Sequence, residues 1–204
     1  MTRHAAWRRS ARALGFAAVV LAPRAAQAHA STTGLGPIYD GLAHFATSPA
    51  DLASVLALAL WAGLRGPLHA RRVVFVLAGA WMAGGLVGAG APATGASGAG
   101  ASLGLLALGA LLAADAKLSA GAATILAAGV GLHHGYENGA GLGTALEAAP
   151  ALAGLGFGVF ALCAIASALA VSLRAAWARV ALRVLGSWIA AIGLLALGWT
   201  LRGR

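Results

Sequence analysis

The sequence predicts an all-α, polytopic membrane helical bundle. It predicts about six transmembrane helices after a signal peptide, with a re-entrant or interfacial half-helix before the first span. The 204 residues are 60% hydrophobic and only 9% charged, whereas soluble domains carry about 25% charged residues. Thirty glycines lie within the apolar runs, and small residues let membrane helices approach closely. A water-exposed surface cannot be built from this composition.

The N-terminal residues 1–28 have the order of a secretory signal peptide. Met1–Arg12 contains four arginines, Ala13–Ala22 is apolar, and Ala26–Ala28 has the small-x-small pattern of a cleavage site. Ala13–Ala22 is too short for a span, which needs about 20 residues. An uncleaved signal anchor is the alternative, because Arg24 is unusual beside a cleavage site.

Residues 29–204 are predicted to form a single transmembrane domain. Gly34–Thr47 is broken by Pro37 and Asp40 and therefore predicts the half-helix, since irregular backbone at membrane depth needs cover from protein or water. The apolar runs that follow predict spans near Ala50–Leu64, Val73–Gly90, Ser102–Ala114, Ser119–His134, Pro150–Leu173 and Val180–Leu201.

The basic residues predict the orientation of these spans. Seven lie in loops on one side of the predicted membrane, against Arg202 and Arg204 on the other. Because basic loops stay in the cytoplasm, the mature N-terminus is expected outside a bacterial inner membrane. The net charge of +9 is thus assigned to topology, with the lipid bilayer as partner and no nucleic acid. The seven are Arg65, Arg71, Arg72, Lys117, Arg174, Arg179 and Arg183.

The rare histidines and acids gather on the opposite, outer side. Ionisable residues near membrane depth are costly and usually face a cavity or a partner. His69 and Asp115 are instead predicted inside. The outer set is His29, His44, His133, His134, Asp40, Asp51, Glu137 and Glu147.

The first outer cluster surrounds the start of the first span. Asp40 and His44 are four residues apart and would share a helical face. Ser48 and Pro49 resemble an N-cap followed by proline at the first helical position. Asp51 would then lie in the first turn, where a carboxylate favours the helix dipole. It is therefore read either as a helix-start acid or as a metal ligand.

The second cluster is His133-His134-Gly-Tyr-Glu137, in which either histidine could share a helical face with the carboxylate. An ordinary polar interface at the end of a span is the alternative. Imidazole with carboxylate oxygen suits Ni²⁺ or Co²⁺, with Zn²⁺ the next candidate. Cleavage after Ala28 would add His29, whose α-amine and imidazole can chelate a divalent metal, although an unliganded tail explains it equally well.

Enzyme motifs are absent from the sequence. It contains no phosphate-binding loop with a following Lys-Ser/Thr, and neither the zinc-protease nor the nucleophile-elbow signature. We therefore expect no enzymatic activity and no tightly bound cofactor.

Two segments of the chain resemble a known family. Gly41-Leu-Ala-His44 and the later Leu-Ala-Leu-Trp61-Ala-Gly resemble the first motif and first span of HupE/UreJ proteins. His134-Gly135 is similar to their second motif. The family's usual His-Pro-x-x-Gly-x-Asp-His pattern is altered here, because Asp51 stands in place of its last histidine.

The resemblance implies a small membrane protein associated with hydrogenase or urease and regarded as a nickel or cobalt permease. We expect an outward-facing capture site from histidines and carboxylates of both clusters. The alternative is a non-transporting accessory protein that binds metal for hydrogenase or urease maturation proteins. The expected ligands are His44, Asp51, His133, His134 and Glu137, with Asp40 and His29 as further candidates.

Overall fold

The computed structural model describes residues 33–92 and 98–202. All regular secondary structure in this part of the chain is helical, with seven helices and no strand, which confirms the predicted all-α class. The predicted signal peptide and His29 lie outside the described residues. The helices are α1 (Pro37–Thr47), α2 (Pro49–Leu64), α3 (Pro67–Gly88), α4 (Gly98–Ala113), α5 (Ala120–Gly139), α6 (Ala145–Ser172) and α7 (Ala176–Arg202).

Short polar side chains fix where several helices begin. Ser48 caps α2 by accepting the backbone N–H of Asp51, and Pro49 occupies the first position, as predicted. Ser119 caps α5 in the same way. Thr144 and Glu147 form a reciprocal capping box at the start of α6, so Glu147 belongs to this helix start.

Length and composition identify three helices able to cross a membrane, namely α3, α6 and α7. Helices α1 and α2 would together supply a fourth, bent by 75° at the break, where the half-helix was predicted to meet the first span. Six apolar runs were predicted to span the membrane, and two of them fall on helices that are not identified as spans. Helix α4 is apolar but has only 16 residues, and the polar residues at the end of α5 lower its mean hydropathy.

Glycines spaced four residues apart bring α3 and α5 into close contact. A Cβ atom added at Gly84 or Gly88 of α3 would overlap backbone of α5, and one at Gly135 or Gly139 of α5 would overlap backbone of α3. Small residues at this spacing let membrane helices pack backbone to backbone. This contact places the polar C-terminal turns of α5 beside the C-terminal turns of α3.

Helix α2 connects two different polar clusters. Asp51 lies in its first turn, and Arg65 follows its last residue, about 21 Å away at ~1.5 Å per residue. Arg65 pairs with Asp115, which also contacts Arg179 at 3.3 Å. We call the side at Arg65, Asp115 and Arg179 the basic end, and the side at Asp51 the histidine end.

Candidate metal-binding site

The break between α1 and α2 positions two of the predicted ligands. His44 lies in the last turn of α1 and Asp51 in the first turn of α2. Only 5% of Asp51 is exposed. Because the Ser48 cap holds the α2 N-terminus, the carboxylate projects from a fixed helix start into the bundle.

Helix α5 supplies the partners of this carboxylate. His134 Nδ1 lies 2.7 Å from Asp51 Oδ1 and donates to it, and His134 is only 4% exposed. The second oxygen, Oδ2, accepts a hydrogen bond of 3.2 Å from Asn138 Nδ2. His134 and Asn138 are four residues apart and therefore reach α2 from one face of α5.

Asn138 also connects Asp51 to His44. Its Oδ1 lies 2.9 Å from His44 Nε2, which donates the proton. The side-chain amide is oriented by this arrangement, since its NH₂ group must face the carboxylate and its oxygen the imidazole. Residues from three helices thus form one hydrogen-bonded chain, which we call the polar network, in the order His44, Asn138, Asp51, His134.

The polar network fixes which imidazole nitrogens stay available. His134 uses Nδ1–H toward Asp51, which leaves the lone pair of Nε2. His44 uses Nε2–H toward Asn138, which leaves the lone pair of Nδ1. A neutral imidazole carries one donor and one acceptor, so each ring keeps one nitrogen suited to a metal ion.

Aromatic rings cover the buried half of the polar network. Trp81 of α3 stacks on His134, with ring centroids 5.0 Å apart and planes inclined by 24°. Phe45 meets Trp81 edge-on at 6.3 Å. Because these rings exclude water, the charge on Asp51 is weakly screened and interacts strongly with its partners.

His133 and Glu137 form a separate pair on the more exposed side of α5. His133 Nε2 lies 3.6 Å from Glu137 Oε1, with side chains 44% and 23% exposed. The helical face predicted to be shared by His133 and Glu137 is confirmed by this contact. The rings of His133 and His134 lie 5.4 Å apart, but only His134 bonds to α2, because successive helical residues diverge by about 100°.

Asp40 bonds to a residue that precedes α1 and is not part of the polar network. Its Oδ1 accepts hydrogen bonds from the backbone N–H and the hydroxyl of Thr33, at 2.5 and 2.7 Å. The shared helical face predicted for Asp40 and His44 therefore does not make them common ligands here.

Five of the predicted ligands are thus divided between two places, apart from Asp40. Within residues 33–92 and 98–202, no group of three or more His, Cys, Asp or Glu side chains is arranged to hold a metal ion. Asp51 and His134 form one direct pair, with His44 joined to them through Asn138, while His133 and Glu137 form another. Asn138 was not among the ligands predicted from the sequence, although its four-residue spacing from His134 places both on one helical face.

Apolar helices and a buried histidine–carboxylate network define a multi-pass helical membrane protein with a polar site at one end of its bundle. The family model of the HupE / UreJ proteins matches residues 17–196. The chain therefore belongs to the HupE/UreJ family. No curated protein and no solved structure matches it.

Proposed function

We propose that this protein is a bacterial inner-membrane permease for Ni²⁺ or Co²⁺ that captures the ion at its histidine end, on the outer side of the membrane. The observation that carries this proposal is the buried pair of Asp51 and His134, 2.7 Å apart. A metal-binding histidine almost always donates its other ring N–H to a carboxylate or carbonyl, which fixes the tautomer and raises the basicity of the ligating nitrogen. Asp51 supports His134 in this way.

The polar network fits weak capture better than permanent storage. His134 Nε2 and His44 Nδ1 are the ring nitrogens left free to bind an ion, and the remaining coordination positions would keep water. A transported ion must bind strongly enough to enter and weakly enough to leave. An incomplete ligand set is therefore suited to an ion that is cargo.

Two buried polar atoms near the pair support an ion or water path that starts there. Ser54 Oγ and Trp81 Nε1 are buried without a hydrogen-bond partner among the described residues. Ser54 lies one helical turn after Asp51 on α2, and Trp81 stacks on His134. Buried polar atoms nearly always have partners, so both atoms have unused hydrogen-bonding capacity. The Ser54 hydroxyl can accept a hydrogen bond from the water shell of an ion, and the Trp81 N–H, which is a donor only, can bind a water molecule.

The membrane potential would supply the driving force. The sequence has no ATP-binding motif, and inward movement of a cation gains about 2.3 kcal/mol per charge per 100 mV. A divalent ion would therefore gain about twice that amount. No covalent bond is made or broken in this process, in keeping with the expectation of no enzymatic activity.

A second candidate function is a metal-binding accessory protein that does not transport. It is favoured by the interior of α2 beyond Ser54, where the buried residues from Val55 to Leu64 are all apolar. An ion bound at Asp51 and His134 would then be passed sideways, to hydrogenase or urease maturation proteins, rather than through the bundle.

Uptake and binding together separate the two functions. Cells expressing wild type, His134→Ala or His44→Ala would be compared for uptake of radiolabelled Ni²⁺ and Co²⁺. His69→Gln is the control, since His69 contacts Leu118 near the basic end. The permease predicts uptake that both alanine variants lower at least tenfold and the control leaves unchanged. Wild-type uptake no higher than in cells lacking the protein overturns transport, and Ni²⁺ binding by the purified protein in that case supports the accessory function.

A further inference from the structure

A groove on the periphery of the bundle lies between α3 and α6, near the basic end. It encloses about 410 Å³. Its walls are almost entirely apolar, and one charged residue stands among them. The residues that define it best are Arg71 and Phe75 of α3, and Phe160, Ala164, Ala168 and Val171 of α6.

The groove runs along the helices, with its charge toward one end. Pro67 and Arg71 lie in the first turns of α3, and Val171 lies in the last turn of α6, both at the basic end. At the other end, the rings of Phe75 and Phe160 approach to 5.9 Å. From Pro67 to Phe75 the groove covers about 12 Å of helix, close to half of a hydrocarbon core of ~30 Å.

Small residues make this part of the surface concave. Ala164 and Ala168 are one turn apart on α6, and bulky Phe75 stands opposite on α3 with 66% of its surface exposed. A chain of methylene groups lying between them would contact both helices, whereas on a convex helix surface it would contact only one.

The charge of Arg71 at the end of the groove has no acidic partner within residues 33–92 and 98–202. The salt bridges of the described residues at the basic end use Asp115, which pairs with Arg65 and Arg179, and Arg71 makes none. Basic pockets between transmembrane helices are suited to anionic lipid headgroups. We propose that the groove binds one acyl chain of an anionic phospholipid, with its phosphate at Arg71.

The test is lipid binding by the purified, detergent-solubilised full chain, measured by native mass spectrometry. Phosphatidylglycerol and phosphatidylcholine with identical acyl chains would be titrated separately, and inorganic phosphate added as a competitor. Arg71→Gln removes the charge and Ala168→Phe fills the groove. Arg72→Gln is the matched control, because Arg72 is the next residue of α3 and does not line the groove. All three sites are exposed, so the variants should fold, which size-exclusion chromatography would verify.

We expect wild type to prefer phosphatidylglycerol, and Arg71→Gln to weaken that binding about fivefold, the effect of one basic residue on an anionic lipid surface. Ala168→Phe should weaken it further, while Arg72→Gln should change it less than twofold. Equal losses in the Arg71 and Arg72 variants would indicate diffuse attraction and overturn the proposal. Unchanged binding by Ala168→Phe, or full competition by millimolar phosphate, would also overturn it.

Discussion

His134 Nδ1 lies 2.7 Å from Asp51 Oδ1, so two residues 83 positions apart in sequence meet inside the bundle. Asp51 also lies in the capped first turn of α2. The two interpretations of Asp51 from the sequence, as an acid at a helix start and as part of a polar site, are therefore compatible. The helix start holds the carboxylate in place, and the carboxylate in turn orients the imidazole.

Replacing Asp51 by alanine tests how much this pair contributes to stability. Asp51→Ala leaves the Nδ1–H of His134 and an N–H of Asn138 without an acceptor in a buried place. Each unsatisfied buried group costs about 1–3 kcal/mol, so we expect these two to lower the free energy of unfolding in detergent by about 2–6 kcal/mol. Thermal or denaturant unfolding followed by circular dichroism would measure it.

Two matched variants complete the Asp51 experiment. Asp51→Asn keeps one acceptor oxygen and should lose less stability than Asp51→Ala. Asp40→Ala removes a carboxylate whose side-chain hydrogen bonds, among the described residues, go to the exposed Thr33, and it should change stability by less than about 0.5 kcal/mol. If Asp51→Ala were as mild as Asp40→Ala, the buried pair would not be a stabilising contact.

Asn138 is expected to affect metal affinity without being a metal ligand itself. Asn138→Ala breaks the link between His44 and Asp51, and loss of such supporting contacts typically lowers metal affinity about 10–100-fold. Isothermal titration of the purified protein with Ni²⁺ would measure the change. Tyr136→Phe is the control on the same helix, since Tyr136 is partly exposed and lies outside the polar network. Equal affinities for wild type and Asn138→Ala would exclude a supporting role.

Local patterns in the sequence predicted the helices and the capped start of α2, but not which side chains meet. The predicted spans at Val73, Pro150 and Val180 begin four to six residues after the first residues of the helices that contain them. The Ser48–Pro49 start of α2 follows from capping rules that involve only neighbouring residues, and the structure confirms it. The division between His133 and His134 depends instead on which face of α5 meets α2. That choice is made by the tertiary packing of Gly135 against α3, which no local spacing reveals.

The close contact of α3 and α5 predicts a sharp difference between two glycines of the same helix. Gly135→Ala would place a Cβ atom against the backbone of Trp81, whereas Gly129 has open space around it. Overpacking costs about 1–3 kcal/mol, and the shift of α5 would also separate His134 from Asp51. Gly129→Ala should be neutral or stabilising, by up to about 1 kcal/mol. Unfolding of both variants in detergent measures the difference, and equal stabilities would refute backbone-to-backbone packing here.

The orientation of the bundle can be tested with single cysteines at its two ends. Leu146→Cys, 85% exposed in wild type, lies at the start of α6, and Lys117→Cys lies in the α4–α5 loop at the basic end. Both would be placed in a Cys163→Ala background, although Cys163 is itself buried. Because basic loops remain in the cytoplasm, a membrane-impermeant maleimide should label position 146 in intact cells and position 117 only after permeabilisation. The reverse labelling pattern would show that the polar network faces the cytoplasm, and capture of an external ion at His134 would then be impossible.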